Sequence, residues 1–189
     1  MEQMNQAYKV FTRICLNNWH YIDRKVLGLN ESINFFTGHS GSGKSTVIDA
    51  MQIVLYANTD GRGFFNKAAA DDSDRSLIEY LRGMINIGEN NQAEYKRNKN
   101  FSTTIVLEME QTITKEKECI GVVFDVETAT NEINRLFFWH KGELIPGDYR
   151  TKSRAMTISE VRSYLQQNFP KDEMFYTSNN ERFRRNLYD

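Results

Sequence analysis

Three glycines, three serines, a histidine and a lysine lie together from Gly38 to Ser45, in the order Gly-His-Ser-Gly-Ser-Gly-Lys-Ser. This spacing is G-x-x-x-x-G-K-[ST], in which a glycine-rich backbone turns successive N–H groups inward and forms a nest for anions. Lys44 would hold a mobile positive charge against the β- and γ-phosphates of a nucleoside triphosphate, and the Ser45 hydroxyl would bind Mg²⁺. The motif therefore predicts a P-loop that takes ATP with Mg²⁺.

Each residue of this motif has an expected role. Lys44 is the candidate catalytic residue and Ser45 the candidate metal ligand, while Thr46 either bonds to the α-phosphate or caps the following helix. The candidate cofactor-binding residues are Gly38, His39, Ser40, Gly41, Ser42, Gly43, Lys44, Ser45 and Thr46.

The flanking residues supply the context that a P-loop needs. A strand is predicted over Ser32 to Thr37, and a helix from Lys44 to about Ala57. Apolar residues nearly encircle that helix, which indicates a buried helix rather than a surface one. Its first turn would add unpaired N–H groups and the positive end of the helix dipole to the phosphate site.

Hydrolysis needs a second carboxylate on Mg²⁺ and a group that orients water. The best local match to such a strand-and-acid segment is Ile120 to Asp125, although it contains a glycine. The alternative is that Asp125 is an ordinary acid at a strand end. The sequence thus predicts the binding half of an ATPase site without a convincing catalytic half.

Other elements follow from runs of β-branched and aromatic residues and from capping patterns. Strands are predicted over Tyr8–Leu16, about Tyr21–Leu27, Ser102–Gln111, Cys119–Val126, Ile133–Trp139 and Met174–Thr177. Helices are predicted near Leu77–Arg82 after an acidic cap at 71–74, from the capping box at Thr157 to about Gln167, and over Asn179–Asp189. Glu89 to Asn100 is polar and is expected to be an exposed connection.

Composition excludes several classes of protein. The 189 residues carry a net charge of −1, so no global positive field attracts nucleic acid. Cys15 and Cys119 fit neither a disulfide framework nor a paired-cysteine zinc site, and buried thiols are expected. Trp19 and Trp139 are expected in the core. Because no run of eighteen apolar residues occurs, a cytoplasmic protein without a membrane contact is expected.

The segment Asn34 to Tyr56, together with Asn18-Trp19-His20, resembles the N-terminal head segment of SMC-like ATPases. Thr37 to His39 and Arg75 to Gly83 are similar to the MukB and MksB branch, which includes the motor subunit of the Wadjet anti-plasmid systems. The resemblance is loose over the whole chain and specific over residues 30–60 and 75–83.

This resemblance implies an α/β fold of the P-loop NTPase class, the N-terminal lobe of an ABC/SMC-type ATPase head with a β-meander subdomain. It divides the chain into a P-loop core (1–88), a meander (101–140) and a helical approach to a coiled coil (141–189). The implied partners are the protein's own C-terminal head half, a second head in a homodimer, kleisin-type and accessory subunits, and double-stranded DNA.

The resemblance also implies roles for single residues. Ser178 or Asn179 would replace the family's Q-loop glutamine, while Gln166 and Gln167 are expected on the surface. His20 stands where the family has an arginine near the nucleotide; the alternative is an ordinary histidine at a strand end. Candidate DNA contacts, whose alternative is a solvated face or a contact with a partner, are Arg62, Lys67, Arg75, Arg82, Arg182, Arg184 and Arg185.

Two other functions stay open on sequence grounds. A stand-alone P-loop kinase would need a complete acidic site and alternating strands and helices, against which the strand-like runs after residue 100 argue. An ABC-type transporter ATPase subunit would carry its own signature motif and acidic strand, and neither is visible.

Overall fold

A computed structural model describes residues 6–29, 44–56, 73–90 and 92–188 of the chain. The strands and helices, in chain order, are β1 (Lys9–Trp19), β2 (Ile22–Gly28), α1 (Lys44–Tyr56), α2 (Ser73–Arg82), β3 (Met84–Ile87), β4 (Ala93–Tyr95), β5 (Phe101–Gln111), β6 (Lys117–Glu127), β7 (Glu132–Lys141), β8 (Arg150–Thr151), β9 (Arg154–Ala155), α3 (Ile158–Asn168), β10 (Met174–Thr177) and α4 (Asn180–Tyr188).

The centre of the fold is a six-stranded sheet in the order β10-β7-β6-β5-β1-β2. Every neighbouring pair in it is antiparallel. The strands β5 and β6 each run for 11 residues and β7 for 10, rich in β-branched and aromatic side chains that suit a pleated surface. The first strand pairs with β5, so the start of the chain and the later meander share one sheet.

Successive side chains of a strand point to opposite faces, and both faces of this sheet are buried. On the first face, Ile105, Leu107 and Val122 belong to the same apolar cluster as residues of α1, α2 and α4. We call this face the P-loop face. On the opposite face, Val106 and Val123 pack with α3. Two cores therefore form on the two sides of one sheet.

Helix α1 buries Val47, Ala50, Ile53 and Val54 against the P-loop face. These positions recur at three- and four-residue intervals, as a helix seated on a sheet requires. Burying each large aliphatic side chain contributes about 1.5–3 kcal/mol, so this contact surface fixes α1 firmly on the sheet.

The opposite face carries the helix that the capping box predicted. The Thr157 hydroxyl accepts from the Glu160 N–H, and the Glu160 carboxylate accepts from the Thr157 N–H. Val161 and Leu165, four residues apart, then face the sheet. This helix begins where the sequence predicted it, because the signal is local.

A buried histidine and tyrosine pair also lies on the opposite face. His140 Nδ1 lies 3.0 Å from the Lys141 carbonyl and therefore carries the ring proton, which leaves Nε2 to accept from the Tyr149 hydroxyl at 2.6 Å. Burial lowers the pKa of His140, and the bond to Lys141 offsets part of that effect. His140 is thus held as a neutral imidazole. Cys15 and Cys119 are buried nearby, as expected, and burial raises the pKa of both thiols.

Most predicted elements of the described ranges are present, with ends shifted by a few residues. The expectation for Glu89 to Asn100 was wrong in part: Ala93–Tyr95 forms β4, and Arg97 is buried. Trp19 is fully buried, whereas Trp139 is only partly buried. The strand predicted over Ser32 to Thr37 lies outside the described residues. None of the helices in the described ranges is long and apolar enough to cross a membrane.

Candidate nucleotide-binding site

The described part of the P-loop motif is its helical end. Helix α1 begins at Lys44, so Lys44, Ser45 and Thr46 belong to its first turn. The N–H groups of a first turn have no partner inside the helix and carry the positive end of the helix dipole, which favours a phosphate. Gly38, His39, Ser40, Gly41, Ser42 and Gly43 lie outside the described residues, as do the side chains of Lys44 and Ser45.

The last residue of β1 contacts this first turn directly. Trp19 is fully buried, and its indole Nε1 donates to the Thr46 carbonyl oxygen at 2.8 Å. Buried indole N–H groups usually find a partner. Here the partner is a main-chain atom one residue beyond Ser45, so the end of β1 is bonded to the start of the P-loop helix.

A second bond joins α1 to α2. The Tyr80 hydroxyl donates to Asp49 Oδ2 at 2.8 Å, and the Tyr80 ring stacks on Trp19 with centroids 5.1 Å apart. Burial raises the pKa of Asp49, and the bond from Tyr80 lowers it in part. Burial is also the main cause that raises the pKa of Tyr80, so its hydroxyl remains a donor. Sequence reasoning missed this contact, because Tyr80 lies 31 residues from Asp49 along the chain.

His20 lies in the turn between β1 and β2 with a φ of 52°. Its N–H donates to the Tyr80 carbonyl at 2.8 Å, and its ring contacts Tyr21 and Tyr80. Burial, and then the nearby charge of Arg97, lower the pKa of His20 to about 4. At neutral pH the ring is therefore uncharged and does not supply the positive charge of the arginine that the resemblance places here.

Arg97 bonds to the same turn between β1 and β2, and it was not identified from the sequence. Its guanidinium donates to the carbonyl oxygens of His20 and Leu81 at 2.9 Å and of Ile22 at 3.0 Å. It thus joins the end of α2 to the turn after β1. Gly83 makes room for this contact, since a Cβ there would lie 2.7 Å from the His20 oxygen. A single arginine in a polar run gives no periodic pattern by which to recognise it.

Asp125 lies away from the P-loop helix. Its neighbours Phe124 and Val126 belong to the apolar cluster that contains α1, so the Asp125 side chain points to the opposite face. There Oδ1 accepts from the Ser102 hydroxyl at 2.7 Å and from the Ile158 N–H at 3.1 Å. Of the two interpretations, the structure supports the strand-end acid, which here caps α3, and the Mg²⁺ carboxylate was wrong.

The other candidates have the following places. Gln166 and Gln167 are exposed, as expected, and Asn179 caps α4 by accepting from the Arg182 N–H at 2.9 Å.

The Arg82 guanidinium bonds to Asn98 and Asn131 and lies 4.0 Å from the centre of the Tyr95 ring. The side chains of Arg182, Arg184 and Arg185 are exposed on α4, while Arg62, Lys67 and the side chain of Arg75 lie outside the described residues. Within the described ranges, no three His, Cys, Asp or Glu side chains cluster as a metal site would.

Residues 11–72 are similar to a family described as the P-loop containing region of AAA domain. That segment includes Trp19, the whole glycine-rich motif and α1. The chain therefore carries a P-loop NTPase-like region, the class of domain that binds a nucleotide and, as a rule, Mg²⁺. No curated protein matches the chain.

Proposed function

We propose that this chain is the ATP-binding half of a split ATPase head in an SMC-like DNA motor of the MukB and MksB branch, of the type of JetC from the Wadjet anti-plasmid systems. The observation that carries the proposal is the position of Asp125, the best local candidate for the Mg²⁺ carboxylate. The P-loop helix packs on one face of the sheet, and Asp125 is hydrogen-bonded to Ser102 and Ile158 on the other face. Such a chain has the means to bind ATP, and in the part that the structure describes Asp125 is not placed to help cleave it.

The described sheet favours this function over a stand-alone kinase. Kinase cores alternate strands with helices and build a parallel sheet, because parallel strands need crossover connections. The six described strands of the main sheet are antiparallel throughout. An ABC-type transporter ATPase subunit is the second alternative, and it would carry a signature motif and an acidic strand within one chain.

In this proposal ATP with Mg²⁺ binds at residues 38–46 and is enclosed by a second head in the homodimer. The signature motif, the acidic strand and the catalytic glutamate come from the C-terminal head half, while Ser178 or Asn179 of this chain substitutes for the Q-loop glutamine. ATP then joins the heads and hydrolysis separates them, which couples the nucleotide state to double-stranded DNA and to kleisin-type subunits. Chromosome organisation and plasmid defence are both compatible with this cycle.

Nucleotide binding and turnover by the 189-residue chain test the proposal. Titration with a fluorescent ATP analogue in Mg²⁺ should give saturable binding, which Lys44→Ala weakens at least tenfold, because the charge against the β- and γ-phosphates is lost. Phosphate release from ATP should stay at the level of the Lys44→Ala variant. Turnover that Lys44→Ala abolishes would show that the chain hydrolyses ATP alone and would contradict the half-head.

A further inference from the structure

We propose that Trp19 and Tyr80 are positioning residues for the P-loop, and that they set its affinity for ATP without contacting the nucleotide. The inference rests on the proposed ATP site at residues 38–46. Neither residue belongs to the motif, and both hold the helix that completes it: Trp19 through the Thr46 carbonyl and Tyr80 through the Asp49 carboxylate.

The two bonds act on one side of α1. Thr46 and Asp49 are three residues apart, so they lie next to each other on the helix surface. Their bonds to Trp19 and Tyr80 have donor–acceptor distances of 2.8 Å. Two such bonds on one side resist both rotation of the helix about its axis and sliding along it, which a single bond cannot do.

The donors are themselves held in place. Trp19 and Tyr80 stack, and the Tyr80 carbonyl accepts from the His20 N–H at 2.8 Å. Arg97 then bonds to the carbonyls of both His20 and Leu81, one on each side of this junction. The end of β1 and the end of α2 therefore form one rigid support for the first turns of α1.

Rigid support matters for phosphate binding because a nest works only when its N–H groups converge. A binding constellation has to be held within about 0.5 Å of its productive geometry by the residues that support it. Lys44 and Ser45 directly precede Thr46, so any release of the Thr46 carbonyl shifts the part of the loop that meets phosphate. ATP binding should in turn change the surroundings of the Trp19 indole.

The affinity test compares two tryptophans. Trp19→Phe keeps an aromatic ring and removes the N–H donor, and Tyr80→Phe removes only the hydroxyl. Trp139→Phe is the matched control: its Nε1 also donates a hydrogen bond, to Glu118 at 3.2 Å, and it lines a cavity with Lys9 at the other end of β1. Equilibrium titration of each variant with the fluorescent ATP analogue and Mg²⁺ is made below its thermal unfolding transition.

We expect Trp19→Phe to weaken ATP-analogue binding about tenfold and Tyr80→Phe about threefold, as the loss of one hydrogen bond from a positioned group predicts. Trp139→Phe should stay within about twofold of the unaltered chain. Equal affinities for Trp19→Phe, Tyr80→Phe and Trp139→Phe would overturn the inference.

A spectroscopic readout separates positioning from mere stability. The chain has two tryptophans, so Trp139→Phe leaves Trp19 as the sole indole. Unlabelled ATP with Mg²⁺ should shift or quench the Trp19 emission in that variant, and should leave the Trp139 emission of Trp19→Phe unchanged. Saturable binding of the ATP analogue without a change in Trp19 emission would contradict this inference and leave the proposed function standing. Absence of any binding by the unaltered chain would overturn the proposed function, and this inference with it.

Discussion

Glu108→Gln removes the charge from a carboxylate that the fold encloses completely. Arg13 donates two hydrogen bonds to it, at 2.9 and 2.6 Å, while the Thr12 hydroxyl and the Leu144 N–H donate at 2.8 and 3.0 Å. An irregularity in β1 between Phe11 and Arg13 lets Thr12 and Arg13 reach the same acid. Glutamine has nearly the same shape, but one terminal atom becomes a donor and must face another donor.

The pKa of Glu108 gives the size of the effect. Burial raises this pKa, but the hydrogen bonds from Arg13, Leu144 and Thr12 outweigh burial and lower it from 4.5 to about 2. At about 1.36 kcal/mol per pKa unit, this shift corresponds to about 3 kcal/mol of stability. Breaking a fully buried ion pair by removing one partner costs about 3–5 kcal/mol, and the lower end applies here because the Arg13 side chain is 38% exposed. We expect Glu108→Gln to lower the free energy of unfolding by about 3 kcal/mol at neutral pH.

Urea unfolding followed by circular dichroism over a range of pH measures this free energy. Because the folded-state pKa lies below the unfolded one, the stabilisation is complete above about pH 4.5 and is lost as the pH falls towards 2. Glu118→Gln is the control, since Glu118 pairs with an exposed Lys9 and should cost less than about 1 kcal/mol. A cost below 1 kcal/mol for Glu108→Gln, or one that does not shrink in acid, would refute the reasoning.

Three further predictions concern other contacts. His140→Phe should lower the urea midpoint at pH 8, because the buried Tyr149 hydroxyl loses its acceptor. Burial lowers the folded-state pKa of His140 below 6.5, so the unaltered chain should lose stability as the pH falls below about 6.5. The His140→Phe variant should lose less stability over the same pH range. Gly83→Ala should lower stability by about 1–3 kcal/mol in thermal unfolding. Gly142→Ala should cost less, because Gly142 also has a positive φ but a Cβ added there would meet no atom within 4 Å. Asp125→Ala should cost about 1 kcal/mol as a lost cap of α3 and leave ATP-analogue affinity unchanged, and a loss of binding would contradict its place on the opposite face.

Local patterns predicted the elements of this fold well. Strand-like runs of seven to ten residues identified β5, β6 and β7, and the capping box at Thr157 located the start of α3, because each signal lies within a few neighbouring residues. The apolar circumference of α1 likewise predicted a buried helix. These signals depend on main-chain geometry and do not need the tertiary fold.

Contacts between distant segments could not be predicted in the same way. Arg97 bonds to His20 across 77 residues, and Asp125 bonds to Ile158 across 33. Which face of β6 carries Asp125 depends on strand register, and a shift of one residue would have turned it towards α1. The sequence therefore identified the P-loop and missed the support around it, in which Tyr80 and Arg97 acquire roles only through packing.

Amide hydrogen exchange with and without ATP and Mg²⁺ tests most directly the claim that this chain binds ATP at the start of α1. The account predicts that ATP slows exchange in peptides that contain residues 38–47, with a smaller effect near Trp19 and Tyr80 and none in β6 or β7. Lys44→Ala should remove the effect. Unchanged exchange over residues 38–47 at saturating ATP, or protection confined to the cavity beside Trp139, would contradict the account.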